Sequence, residues 1–529
     1  MNVNRLLRLA PLLSVLCLAR PVHAEDTVVT DSSAIAAPST FSGSTTAVLE
    51  WRNDNRNGDR TDDNYGDMLV RTNLLQDGGD TRMTLRIDGA GFVSRPVDVD
   101  RRNYLRMERV TLEMSRTLGR VRTQLTLGDF YAQFGSGLAL SLRRVDELGL
   151  DMATRGGRLD AFFGDDRLQV TVLGGLTNSA NIEATRLRFT EDPEDTLGGA
   201  RIEGRFGLGT VGLHGATVRQ ADVPDGQPHP INTNVGADTN LSMGDFTLQL
   251  EVDGQRRDLG SAINDGHAAY ANLTGQLGRT TLVFEGKHYS RFEPLFGSWP
   301  GYQENRFFYS FSPTAERIDQ EVLDNTDTTG GRARADVVTN ADTASSVHAN
   351  VAVFRNRNTD LWFGHAYGGV DRRFASGGAL LVSGGYRREW HPSDSAVSPG
   401  QLFRAIAHGE LDWLTPIAQG LSIHLIAMHR SLVEQVGSRK SISHRGNSSL
   451  EFDVGERWIF LGGVDWNTQD TRDGIRTLFG FVTVRYRPSD RFFIQALAGS
   501  QRGGIRCVAG ACRDFPPFSG VRLDTTVRF

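Results

Sequence analysis

Apolar and polar residues alternate over long stretches of this chain. In TRMTLRIDGAGFV (81–93), Met83, Leu85 and Ile87 share a side with Gly89 and Gly91, while Arg82, Thr84, Arg86 and Asp88 share the other. VRTQLTLGD (121–129) opposes Val121, Leu125 and Leu127 to Arg122, Gln124 and Thr126. ARIEGRFG (200–207) carries Arg201, Glu203 and Arg205 on one side, and GGRARADVV (330–338) sets Arg332, Arg334 and Asp336 against Ala333, Ala335 and Val337. The last nine residues, VRLDTTVRF, repeat the pattern and close on the aromatic Phe529. A period of two predicts β-strands with two chemically different faces.

A soluble antiparallel sheet also alternates, with one face wet and one face in a core. Here the polar sets carry closely spaced charges, while the apolar sets are often small: Ala, Gly, Val, Thr. Such faces fit fatty acyl chains better than an interdigitated core. The connections alternate as well. Short ones fall at 77–80, 118–120, 164–166, 207–209, 243–245, 277–279, 340–342, 375–377 and 488–490; longer polar ones at 52–65, 94–103, 177–196, 220–231, 257–264, 292–326, 391–400, 432–440 and 505–519. In hydrocarbon every backbone N–H and C=O must be paired within the protein, and for strands only a closed sheet achieves that. The chain is therefore expected to be all-β: a closed antiparallel transmembrane β-barrel of about 24 strands, within a range of roughly 22–26, with short periplasmic turns and long extracellular loops. Phe529 is expected in the periplasmic aromatic girdle, where it also resembles the terminal signal read by the outer-membrane barrel-assembly machinery.

The N-terminus adds the compartment. MNVNRLLRLAPLLSVLCLARPVHAED has early arginines, a short apolar run and a Val-His-Ala site, the form of a secretory signal with cleavage after Ala24. The expected organisation is a signal peptide at 1–24, a periplasmic leader at 25–40 and a barrel at 41–529. Losing Arg5, Arg8 and Arg20 moves the formal charge from −5 to −8, a mild acidity with no nucleic-acid footprint. No stretch is long and apolar enough for a transmembrane helix. In an exported chain the remaining pair, Cys507 and Cys512 in loop 505–519, reads as a disulfide stiffening the loop tip.

Two excursions break the alternation. GDFYAQFGSGLALSLRRVDELGLD (128–151) stays rich in Gly and apolar residues through Leu142 and then gathers Arg143, Arg144, Asp146 and Glu147. It is too greasy for solvent and is expected either to fold back into the lumen as a constriction or to form an extended wall segment that packs there. The second, 293–325, ends in SPTAERIDQEVLDN, which reads as a helix capped by Ser312 or Thr314 with Glu316 in its first turn. These two segments are the candidates to narrow a wide bore. The first stretch with RGGRL (155–159), and PTAERIDQEVLDN with TGGRARAD (329–336), are similar to an uncharacterised family of long porin-like Gram-negative outer-membrane β-barrel proteins. The resemblance implies a fold and an outer-membrane location. It implies no substrate, cofactor or catalytic residue.

The expected function is a channel or transport barrel for small polar solutes. Its pore-lining candidates are Arg71, Arg82, Arg86, Asp88, Arg122, Arg201, Glu203, Arg205, Arg332, Arg334 and Asp336, charges that set the field at a constriction. The alternative is a scaffold for an envelope or surface assembly whose barrel is occluded by its own loops. EDTVVT (25–30) resembles the coupling box of energised transporters, but strand pattern from Phe41 leaves no room for their plug domain. Loop 53–64 has calcium-loop phase at Asn53, Asn55, Asn57 and Gly58 without the closing glutamate, and is read as a solvated surface loop. His424, His429, His444 and Ser431 supply hydrolase residue types at no distinguishing spacing, so no enzyme activity, metal or cofactor is expected. The expected partners are outer-membrane lipid, lipopolysaccharide and the assembly machinery.

Overall fold

The computed structural model describes residues 39–529 apart from 59, 61–62, 95–102, 146–149, 180–181, 184–187, 190–193, 222, 224–225, 296–307, 312, 314–325, 341–342, 392–401, 437–438, 470–474, 509–510 and 516. The expected signal peptide, the leader up to residue 38 and most of the expected helix at 312–325 lie outside the described residues, as do Asp146 and Glu147. Strand structure begins at Thr40, one residue before the expected barrel boundary.

Twenty-four strands form one closed antiparallel barrel. They run from 10 residues, as in Val121–Phe130, to 17 in Leu402–Ala418, enough for a tilted strand to cross a bilayer. Each pairs with its sequence neighbour, and the strand Thr40–Arg52 closes the ring by pairing with Phe518–Arg528 from Ser44↔Arg528 to Arg52↔Gly520. Across this seam Thr46 and Thr526 share a hydrogen bond of 3.0 Å, and Arg522 reaches Glu50 at 3.3 Å. The terminal residue is tied in by two backbone hydrogen bonds with Gly43, while its ring lies 6.4 Å from that of Phe41.

One end of the barrel carries only tight connections. Gly244 and Gly278, with φ of 61° and 59°, open the turns 244–245 and 278–279, a left-handed geometry that suits glycine in short hairpins. Turns at 419–420 and 455–457 join this set, although the sequence pattern did not single them out. The other rim is uneven. A long loop was expected at 432–440, but the ladder runs to Val436 and resumes at Arg439. Loop 357–360 is likewise a tight turn. In both places alternation persists almost to the reversal.

The outer surface follows the apolar sets. Val482 is 58% and Leu213 60% exposed, as are many branched residues at equivalent phases. Aromatic residues bracket this band. Phe163, Phe206, Phe246 and Trp458 lie near the tight-turn end, with Trp458 stacked 4.2 Å from Tyr486. Trp51, Trp466 and the stacked pair Trp362–Trp390 lie near the opposite rim. Trp458 and Trp466 are ends of one strand, roughly 27 Å apart along it and so about 20 Å apart along the axis of a barrel with the usual tilt.

Candidate functional site

The inward face is built from a repeated spacing. An arginine and an acid two residues apart on one strand point the same way and pair. Arg86–Asp88 (2.5 Å), Arg158–Asp160 (2.8 Å), Arg201–Glu203 (2.9 Å), Arg334–Asp336 (2.7 Å), Arg387–Glu389 (2.7 Å) and Arg522–Asp524 (2.9 Å) all follow this rule. Extended backbone puts residues i and i+2 on one face, so the motif neutralises charge locally wherever it occurs.

The expected pore-lining residues fall into this scheme as follows. Arg71 and Arg86 both bind Asp88; Arg86 also reaches Asp151, which Arg109 contacts at 3.2 Å. Arg201 bridges Glu203 and Asp238, and Arg205 takes the other oxygen of Glu203 at 3.0 Å. Arg332 pairs with Glu285 of the neighbouring strand at 2.6 Å. Arg82 and Arg122 lie near the tight turns; Arg122 meets Asp166 at 2.8 Å and covers the Phe162 ring at 3.8 Å. The charges thus form paired networks along the wall.

The segment 131–145 runs across the inward faces of the strands between Leu168 and Ser290. Phe134, Ala139, Leu140 and Leu142 are buried with Leu173, Leu197, Ala216, Val218, Leu295 and Tyr309. Leu138 joins Ala268, Tyr270, Tyr289 and Phe292. Polar wall residues hold its backbone: Asn234 Nδ2 donates to the carbonyls of Leu138 and Ala139, both at 3.3 Å, and the Ser136 N–H donates to Glu251. The described parts of the second excursion lock onto it. Ser141 N–H donates to the Tyr309 carbonyl at 2.7 Å, and Phe311 N–H to that of Gly137 at 3.0 Å. The Tyr309 hydroxyl donates to Asp195 at 2.7 Å, and full burial beside that carboxylate holds the phenol well above its usual range. Arg143 lies 4.4 Å over the Phe311 ring, and Arg144 is exposed.

The strands from Leu402 to Gln501 present a different interior. Asp412 and His424 form a 2.7 Å pair whose side chains are 48% and 25% exposed, and Ile426 on the same inward face is 39% exposed. Of the four hydrolase-type residues, His424 points inward. His429, Ser431 and His444 meet on the outward face, with Ser431 Oγ 3.2 Å from His429 and 3.1 Å from His444. The His429 ring stacks 5.8 Å from Trp466 at the aromatic rim. The Cys507 and Cys512 backbones are directly opposed in a two-stranded hairpin.

One cluster was not anticipated. His214 and the pair Glu251 and Asp253 are buried together on two strands flanking a third, with their ligand-type atoms within 4.8 Å of one another. The sequence signal was weak: Glu251-Val252-Asp253 is an inward acid pair, but so are Glu410-Leu411-Asp412 and Glu451-Phe452-Asp453.

Residues 429–529 match the model of a family of unknown function (DUF6029). No curated protein matches the sequence. Among solved structures, the chain is similar to the P pilus usher (PapC) translocation pore, with 10% identity, 92% of this chain and 99% of that chain covered, and a TM-score of 0.45. It is similar to the siderophore receptor PirA from Pseudomonas aeruginosa, with 10% identity, 92% and 80% coverage and a TM-score of 0.48. The outer-membrane transporter YddB from Escherichia coli gives 8% identity, 92% and 80% coverage and a TM-score of 0.42. Likeness at this level carries neither a site nor a function across.

Proposed function

We propose that this chain is an outer-membrane transport barrel of porin-like type for small polar solutes, with its bore narrowed on one side by segment 131–145. The observation that carries the reading is the contrast between the two wall faces. The outer face exposes branched apolar residues between two aromatic belts, the pattern that lipid and lipopolysaccharide would cover. The inner face is lined with paired charges, and around Asp412 and His424 it remains accessible. A closed strand ring with that distribution is stable in a bilayer and unstable as a free soluble sheet. Assembly then requires the barrel-assembly machinery, with the Phe529 end as its recognition element.

Paired charges set the selectivity this barrel would have. Arg–acid couples two residues apart cancel at a distance but leave strong local dipoles. Such a wall favours hydrated, polar, weakly charged solutes over ions of one sign.

Single-channel recording in planar bilayers tests this. The full chain is expected to conduct with weak ion preference, and replacing residues 133–144 by a short Gly-Ser linker is expected to raise the conductance severalfold. If neither protein conducts, the transport reading fails and the chain is a scaffold with an occluded barrel.

A further inference from the structure

We infer that His214, Glu251 and Asp253 form a divalent transition-metal site on the inner wall, of the zinc or manganese class, seated beneath the inward segment. The site holds whether or not the barrel conducts.

The three residues lie on the strands Gly209–Arg219 and Phe246–Asp258, separated by the strand Ile231–Met243. Register brings them together: Gly236 is opposite both His214 and Asp253. A residue with no side chain between them leaves a gap that the imidazole spans. His214 Nε2 is 2.9 Å from Asp253 Oδ1 and 3.9 Å from Glu251 Oε1. Ligands about 2.0–2.2 Å from a tetrahedral ion stand about 3.4 Å apart, between these two separations.

The other ring nitrogen is already committed. His214 Nδ1 is 3.0 Å from Asp238 Oδ2 and 3.2 Å from Arg201 Nη1, and Asp238 is held in turn by Arg201. Donation of Nδ1–H to Asp238 leaves Nε2 with the lone pair that faces the ion, the outer-shell arrangement that orients metal-binding histidines.

Two further observations call for a cation here. Glu251 is 1% and Asp253 4% exposed, yet Glu251 Oε1 and Asp253 Oδ2 have no hydrogen-bond partner. The Ser136 hydroxyl is also buried without one. Buried oxygens of this kind are costly unless a ligand takes them up. Charge makes the same demand. Glu203, Asp238, Glu251 and Asp253 supply four carboxylates, against which the pairs described above set two guanidiniums, Arg201 and Arg205. Neutral His214 leaves two negative charges, which one divalent ion cancels. Six strands match an acid with an arginine two residues along; Glu251 has Asp253 in that place, and unlike the acid pairs Glu410–Asp412 and Glu451–Asp453 these two are buried.

The inward segment covers the site. Gly135 adopts φ of 55°, and a Cβ there would stand 2.5 Å from Glu251 Oε1; only bare backbone fits so close. Phe134 stacks 6.2 Å from the His214 ring. With Glu251 holding both the ion and the Ser136 N–H, metal binding fastens the segment to the wall. His nitrogen with two carboxylates suits zinc, manganese or iron(II) better than the all-oxygen demand of calcium or magnesium.

The test uses the full chain refolded in detergent, stripped with chelator, incubated with zinc or manganese and washed. Elemental analysis is expected to give about one ion per chain. The Glu251→Gln/Asp253→Asn double variant is expected to retain less than a tenth of that. Chelation is expected to lower the wild-type melting temperature and leave that of the double variant unmoved. His214→Gln, which keeps a polar side chain, is expected to lose the ion as well. Equal metal in wild type and double variant, or none above background in wild type, overturns the proposal; His214 would then be an imidazolium bridging Asp238 and Asp253.

Discussion

The wall between Leu168 and Ser290 and the wall between Leu402 and Gln501 follow the same alternation, yet their inward faces have different fates. In the first, inward residues are sealed: Asn234 is wholly buried under the 131–145 segment. In the second, Asp412 and Ile426 remain open to the bore. Their outward faces match. Alternation therefore fixes which way a side chain points, and only packing from elsewhere decides whether that side is wet. One barrel wall behaves on one flank as a solvated lining and on the other as a protein core.

The sharpest way to break this comparison is at two apolar inward residues. Phe134→Ala on the packed flank is expected to cost about 3–5 kcal/mol, whereas Ile426→Ala on the open flank is expected to cost well under about 1 kcal/mol. Urea unfolding in lipid vesicles measures both. Equal losses would mean that the two flanks are packed alike.

The outward faces give the next largest effect. Leu213→Arg and Val482→Arg, one on each flank near mid-strand, are each expected to lose about 2–4 kcal/mol in the same assay. A clear difference between them would show that one flank does not face lipid. Asn234→Ala removes the donor to two segment carbonyls and is expected to cost about 1–3 kcal/mol and to speed hydrogen exchange around Leu138 and Ala139. Asp412→Asn, at a half-exposed contact with His424, is expected to shift stability by less than about 1 kcal/mol. A large effect there would place Asp412 in a dry site.

Much of the fold was legible in the sequence because a closed sheet tolerates few exceptions to period two. Val521, Leu523 and Val527 could be assigned outward and Arg522 and Asp524 inward from nine letters. The reversals were harder. Turns 419–420 and 455–457 hide between strands whose apolar residues run up to the bend, as do Ala418-Gln419 and Val454-Gly455, and the rim loop at 432–440 shrinks because Val433 and Ile442 keep the outward phase. The metal cluster was missed for another reason. His214 and Asp253 are separated by 39 residues, and nothing local to VGLHG or LEVDG says that two hairpins will set them side by side. The acid pair itself is no marker, since Glu410–Asp412 and Glu451–Asp453 share the spacing; burial under the inward segment is what sets Glu251 and Asp253 apart.

The seam has a kinetic corollary. Hairpin neighbours need only a short loop, whereas Thr46 and Thr526 meet across 480 residues. By chain statistics that join costs roughly 5–6 kcal/mol in loop entropy against about 2 for a turn of a dozen residues. A partly formed ring would have two bare edges, each a template for a stranger's strand. Completing the circle is thus a single late step, and whatever shields those margins in the meantime governs how fast the protein matures.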